Sequence, residues 1–334
     1  MKAFVVKKYS KTEKLQLTDI SEPTVKENEV LVQIHAAGVN LLDSLIRNGE
    51  FKIFLPYKPP FVNGHDMAGV VTKIGSKVSR FNVGDEVYAR VGDFGIGTFA
   101  EYIAANENDL ALKPKNLSME EAASIPLVGL TAWQVLIEIT KLKKGQKVFI
   151  QAGSGGVGTF AIQLAKHLGA FVATTTSAAN IGLVKSLGAD LIIDYKKEDF
   201  ATLLKDYDVV LHSNREQKVL ENSLKILKEG GTLVSLTGPP TPEFARNFGL
   251  GWHLQFLMSL LSISARRKAK RLNVNFKFLF MKADGKQLNQ ITSLIEAGVI
   301  RPVIDKVFSF EQTNDAMAYV ESGRAKGKVV IKVI

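Results

Sequence analysis

The chain contains no cysteine among its 334 residues. That excludes disulfides, thiolate nucleophiles, iron–sulfur clusters and any zinc site with cysteine ligands, and it fits a reducing compartment. Long apolar runs are lacking too: nowhere do about 18 apolar residues follow one another, so no transmembrane helix is expected. The run Ala3–Val6, set between lysines, is too short for the core of a secretory signal, and a cytoplasmic protein is expected. Neither an internal repeat nor a low-complexity segment is present. Acidic residues are in deficit, 33 against 43 Lys and Arg, which leaves a net charge of +10. Such a balance can serve nucleic acid, a membrane surface or a phosphorylated ligand, and composition does not choose among them. What is present is ordinary for a globular protein, with 46% apolar and 23% charged residues. At roughly 150 residues per domain, the length predicts two domains and a cleft between them.

Up to about residue 120 the chain reads as short β-branched runs broken by Gly, Asn and Pro: Ala3–Val6, Val30–His35, Met67–Ile74, Glu86–Ala89 and Phe99–Ala104. These predict antiparallel strands and a β-rich domain. The rhythm then changes. Glu120–Ile139 reads as one helix, after which short apolar runs alternate with stretches of helical period. The runs are Lys147–Gln151, Phe171–Thr176, Leu191–Tyr195, Val209–His212 and Gly231–Thr237. Between them lie the predicted helices Val157–Leu168, Asn180–Leu187 and Gln217–Leu227. This alternation predicts a doubly wound parallel sheet. The closing run Lys328–Ile334 is β-like and can return to the first domain.

The first run of the second half leads into Gly153-Ser154-Gly155-Gly156-Val157-Gly158 and then into a helix. Gly153, Gly155 and Gly158 satisfy the dinucleotide spacing, in which glycines allow a tight turn and bring backbone close to a pyrophosphate at the helix amino end. The bland alternative is a Gly-rich turn that packs a helix on a strand. About 20 residues on, an NAD site shows an acidic residue; here stand Thr174-Thr175-Thr176-Ser177. Hydroxyls without a carboxylate favour NADPH, although the same threonines also suit a strand by propensity alone. Lys185 and Tyr195 are possible further partners.

Several segments line up beside this loop: Gly38–Asp43, Asn63–Val71, Val83–Tyr88, Gly97–Tyr102, Gly129–Ala132, Leu187–Asp190 and Gly327–Val330. Together they resemble the medium-chain dehydrogenase/reductase superfamily, in its zinc-free quinone oxidoreductase and alkenal/enone reductase branch, over essentially the whole chain. The resemblance implies a GroES-like catalytic domain from residues 1–122 and 300–334, a Rossmann domain at 123–299, and NADPH in the cleft. It places Asn40 and Thr131 near the nicotinamide, and Gly153, Ser154, Gly155, Gly156, Val157 and Gly158 around the pyrophosphate. Thr176, Ser177, Asn180 and Tyr195 flank the adenosine phosphate, and Leu236 and Thr237 are counted with the cofactor-binding candidates. Gly64-His65-Asp66 is similar to the Gly-His-Glu of zinc alcohol dehydrogenases, but Asn40 stands where their cysteine ligand does. No metal is expected. His65 is then either a structural histidine bonded to the backbone or a polar lining of the substrate pocket.

The chemistry expected is hydride transfer to an acceptor already electrophilic, a quinone or the C=C bond of an α,β-unsaturated carbonyl. No residue declares itself as the acid. Tyr57 is a candidate, against a plain packing role at the pocket rim. Leu45 replaces a polar residue common in relatives, which makes solvent protonation more attractive, and Asn40 either bonds cofactor or substrate or merely forms a turn. The alternative to an enzyme is an NADPH-binding redox sensor or a membrane- or RNA-associated scaffold with little turnover. Residues 239–275 are both apolar and basic: Leu250–Ala265 reads as one helix needing cover on most sides, and Arg266–Arg271 follows. A pocket wall or subunit contact in a homo-oligomer, and a peripheral membrane contact through 250–271, are the readings kept. No nucleic-acid motif accompanies the charge, and nucleic acid is not expected as a partner.

Overall fold

The computed structural model describes residues 1–55 and 57–334; Pro56, part of the expected pocket-rim segment, lies outside them. The strands are β1 (Lys2–Val6), β2 (Gln16–Asp19), β3 (Glu29–Val39), β4 (Phe61–Val62), β5 (Asp66–Ile74), β6 (Glu86–Arg90), β7 (Tyr102–Asn106) and β8 (Leu110–Leu112). Then come β9 (Lys147–Ile150), β10 (Phe171–Thr176), β11 (Leu191–Asp194), β12 (Tyr207–His212), β13 (Leu227–Ser235), β14 (Asn275–Phe278), β15 (Ile304–Ser309) and β16 (Lys328–Lys332). The chain divides into two compact units, Met1–Leu130 with Lys282–Ile334, and Thr131–Met281.

The first unit is β-rich. A three-stranded sheet runs β2-β1-β4, and a larger one runs β15-β16-β3-β5-β6-β8 with β7 also pairing β3. β3 organises the larger sheet: β5 pairs antiparallel along one side, while β7 takes residues Glu29–Gln33 and β16 takes Ala36–Val39. Val32, Ile34, Met67, Val87, Val329 and Ile331 share the core under this sheet, each contributing roughly 1.5–3 kcal/mol of hydrophobic stabilisation. The returning C-terminal run therefore forms an interior strand of this unit. The helix Gly285–Glu296 also belongs here, although the bounds implied by the resemblance, 123–299, put it in the Rossmann domain. Its backbone lies against β8, and the buried Tyr88 hydroxyl donates to Leu288 O at 2.9 Å.

The second unit is a six-stranded parallel sheet in the order β11-β10-β9-β12-β13-β14. The order reverses between β9 and β12, which makes the carboxyl ends of those strands the expected ligand position in a doubly wound sheet. Phe149, Ala173, Val210 and Leu233 pack against Leu220, Leu224, Ala265 and Ala269 of the covering helices. β14 extends the sheet by a strand that periodicity did not reveal.

Two expected helices are broken. Glu120–Ile139 is Met119–Ala123, then Pro126–Trp133, then a wider-pitched turn at Gln134–Ile139. Pro126 has no amide hydrogen and its ring clashes with the preceding turn, so it starts a helix instead of continuing one. Leu250–Ala265 is likewise two helices, Trp252–Leu261 and Ile263–Arg271. At the break, the Ser262 hydroxyl donates to Met258 O at 2.7 Å and accepts from Arg266 Nε at 3.1 Å, a side chain competing with the backbone ladder. Among the described residues no helix is long and apolar enough to cross a membrane.

Candidate active site

In the second unit, β9 ends at Ile150 and the chain turns through Ala152, which is held at φ +53°. That left-handed conformation is costly for a residue with a Cβ and marks a turn fixed by its surroundings. Gly153 N donates to Thr175 O at 2.9 Å and Gly155 N to Ala152 O at 2.9 Å. A Cβ on Gly153 would stand 2.1 Å from Thr174 Oγ1, and one on Gly158 would stand 2.4 Å from Ala152 O. Both glycines are therefore required for close approach of strand, loop and helix. Gly155 caps the helix Gly156–His167, and the amide of Thr159 bonds back to Gly155 O at 2.9 Å. The amides of Gly156, Val157 and Gly158, in the first turn of the helix, precede that bond and face an anion at the positive end of the helix.

The hydroxyl run splits into two roles. Thr174 Oγ1 donates to Ile150 O at 2.6 Å, and Thr175 Oγ1 accepts from Ala152 N at 3.1 Å, so these two pin the loop to β10. Thr176 Oγ1 instead donates to Ser154 Oγ at 3.0 Å, and Asn180 Nδ2 reaches Ser154 Oγ at 3.2 Å and Ser177 Oγ at 3.4 Å. Ser154, Thr176, Ser177 and Asn180 are thus brought together at the carboxyl end of β10. Tyr195 N donates to Thr176 O at 3.3 Å, while its side chain is exposed. Asp194, level with Thr176 on β11, accepts from Lys196 N at 3.2 Å. Leu236 N donates to His212 O at 2.9 Å and Thr237 Oγ1 to Asn214 O at 2.7 Å, which ties the ends of β12 and β13 together. The buried His212, which pattern reading passed over, has its pKa pushed down to about 4 by burial, with the Asn214 backbone opposing. Thr131 is buried in the helix Pro126–Trp133.

In the first unit a buried polar cluster forms where β3, β5 and β16 meet. Asn40 ends β3 and precedes the helix Leu41–Arg47; its backbone amide donates to Asp43 Oδ2 at 2.8 Å. Its side-chain amide donates to Asp66 Oδ2 at 2.9 Å and its Oδ1 accepts from Lys328 Nζ at 2.5 Å. Lys328 Nζ also reaches Val39 O at 3.1 Å and Asp66 Oδ2 at 3.4 Å. Burial pushes the Asp66 carboxyl up, against the opposing pull of the Lys328 ammonium and the Asn40 amide. Its second oxygen accepts from Leu127 N at 2.9 Å. Asn40 is thus held at both ends of its amide, and neither Lys328 nor Asp66 was singled out from the sequence as its partner.

His65 is fully buried and its Nδ1 lies 2.6 Å from Asp43 Oδ1, so its partner is a carboxylate and not the backbone. Tyr57 donates its hydroxyl to Asp93 O and packs its ring at a tilt against Phe61, with centroids 5.2 Å apart. Burial, followed by the Asp93 charge, raises its pKa well above the usual phenol value, the opposite of what an acid needs. Leu45 is half-buried on the helix Leu41–Arg47.

The chain matches the Alcohol dehydrogenase GroES-like domain family over residues 26–115 and the Zinc-binding dehydrogenase family over residues 187–331. It is 39% identical to the 2-methylene-furan-3-one reductase of Solanum lycopersicum, over 100% of this chain and 79% of that protein. It is 37% identical to the chloroplastic NADPH-dependent alkenal/one oxidoreductase of Arabidopsis thaliana, over 99% of this chain and 79% of that one. The solved quinone oxidoreductase of Coxiella burnetii superposes with a TM-score of 0.87 at 31% identity, covering 100% and 99% of the two chains. The chain belongs to the medium-chain dehydrogenase/reductase superfamily, in its quinone oxidoreductase and enone reductase branch. The zinc implied by one family name does not fit these residues. No cysteine exists, and Lys328 places an ammonium on the Asn40 and Asp66 oxygens that a dication would need.

Proposed function

We propose that the chain oxidises NADPH and delivers the hydride to a quinone or to the β-carbon of an α,β-unsaturated carbonyl. Three relatives carry those activities in their names: a furanone reductase, an NADPH-dependent alkenal/one oxidoreductase and a quinone oxidoreductase. The observation on this chain that carries the reading is the loop Gly153–Gly158 joined to the hydroxyl and amide cradle of Ser154, Thr176, Ser177 and Asn180. The cofactor, when bound, supplies the hydride.

The protein's own residues bind and orient. The helix-end amides take the pyrophosphate, and the cradle offers donors to a ribose 2′-phosphate. In the first unit, Lys328 offsets the Asp66 charge and fixes the Asn40 amide, which makes Asn40 a positioning group. Tyr57 is committed to Asp93 O, so solvent supplies the proton that completes the reduced acceptor. The outer edge of β14 is unpaired among the described residues, and a homo-oligomer formed there is part of the proposal. A cytoplasmic location is part of the proposal, and the zero cysteine count fits it.

The deciding experiment follows NADPH and NADH oxidation with a short enone, a 2-alkenal and a quinone in parallel, with products identified. Faster turnover with NADPH and a saturated carbonyl or hydroquinone product is expected. Tight NADPH binding without oxidation by any acceptor would overturn the reading.

A further inference from the structure

Residues Trp252–Arg271 take no part in either cluster and hold the most exposed apolar surface of the second unit. On the helix Trp252–Leu261, Trp252, Phe256 and Leu260 lie four apart and are 79%, 62% and 51% exposed. The adjacent row is His253, Leu257 and Leu261, with the last two 40% and 56% exposed. Met258 is the helix's buried residue, so the apolar stripe faces water instead of the core. A stripe of this size on a soluble surface marks a partner.

The next helix, Ile263–Arg271, carries Arg266, Arg267, Lys268, Lys270 and Arg271 and no acidic residue. Between it and the helix Gln217–Lys225 lies a cavity of about 460 Å³ with Ile263 and Leu272 among its lining. Lys225, Arg267, Lys268 and Arg271 line it against a single carboxylate, Glu221, which Lys268 already pairs. The stripe and the cavity adjoin, since Ile263 lines the cavity two residues after Leu261.

We propose that this element docks the protein on an anionic phospholipid surface, with the stripe in the acyl boundary and the headgroup phosphates at Lys225, Arg267 and Arg271. Charge decides between a membrane and a second copy. A second copy paired through the stripe offers these five cations no acidic residue from either helix, whereas an anionic bilayer complements them. At ten residues the helix is about 15 Å long and lies in the interface without spanning it. Arginine suits the site because its planar fork binds phosphate oxygens in pairs. The inference stands independently of the reductase reading.

The test is sedimentation of the full chain with phosphatidylglycerol/phosphatidylcholine vesicles and with pure phosphatidylcholine vesicles. Partitioning about tenfold stronger onto the anionic vesicles is expected, weakening as salt rises, together with a blue shift of tryptophan emission that Trp252→Phe abolishes. The combined variant Trp252→Ala, Phe256→Ala, Leu260→Ala loses binding about tenfold, and Arg267→Ala with Arg271→Ala loses the preference for anionic lipid, both keeping wild-type NADPH oxidation. Absence of binding, equal binding to both vesicle types, or unchanged binding by the combined variant overturns the proposal. So does a self-association in ultracentrifugation that the combined variant abolishes, because the stripe would then belong to a second copy.

Discussion

At the scale of single residues, Lys328 carries the greatest burden in the first unit. Its ammonium lies among buried oxygens of Val39, Asn40 and Asp66. Lys328→Met leaves Asp66 as a buried charge without compensation, and a loss of about 3–5 kcal/mol in denaturant unfolding is expected. Adding Asp66→Asn recovers most of that loss, which a double-mutant cycle measures. His212 sets a different dependence. Its folded pKa of about 4 lies below the ordinary value of 6.5, so the unfolded chain binds the proton first. Stability falls as pH drops from 6.5 to 4, by up to about 3 kcal/mol, and the loss is complete below that. Urea melts across this window show a shallower slope for His212→Leu. The glycines of the phosphate loop were legible because their spacing is local. The partners of Asn40 were not, since Asp66 and Lys328 are distant in sequence and only the sheet brings them together.

At the scale of elements, the loop between β9 and the helix Gly156–His167 is fixed by contact as much as by chemistry. Gly158→Ala drives a Cβ into the Ala152 carbonyl, 2.4 Å away. A rise in the NADPH dissociation constant of about tenfold or more, equal to about 1.4 kcal/mol, is expected with an unchanged far-ultraviolet spectrum. Fluorescence titration reads it. The positions of β9 to β13 followed directly from the apolar runs, as buried parallel strands must, while the edge strand β14 did not. Helix ends did not. Periodicity carried two helices across Pro126 and Ser262, because hydrophobic spacing continues where the backbone ladder is interrupted by a missing donor or a competing hydroxyl. The threonine run of β10 shows the same limit: composition suggested four equivalent hydroxyls, and the structure commits Thr174 and Thr175 to the loop while Thr176 and Ser177 join the cradle.

At the scale of the molecule, the excess of +10 is not evenly spread, and the segment between β13 and β14 holds much of it beside the exposed stripe. Charge sign was legible in the sequence; its pairing with an outward apolar face was not, because a helix of mixed rows reads equally well as buried. The first unit is assembled from both ends of the chain. Deleting residues 328–334 removes β16 and the Lys328 ammonium together. Such a chain is expected to be insoluble, or to melt at least about 10 °C lower if any soluble fraction remains, as read by scanning calorimetry. The same pairing imposes an order on birth as well as on structure. While the ribosome is still making the second unit, the residues Ala36–Val39 of β3 wait with one side of their ladder open and Asp66 uncompensated. The parallel-sheet unit can fold as it emerges, but the sheet that encloses Asn40 closes only when β16 is released, so throughout synthesis of the second unit β3 carries an unsealed edge that must be kept from pairing with a neighbour.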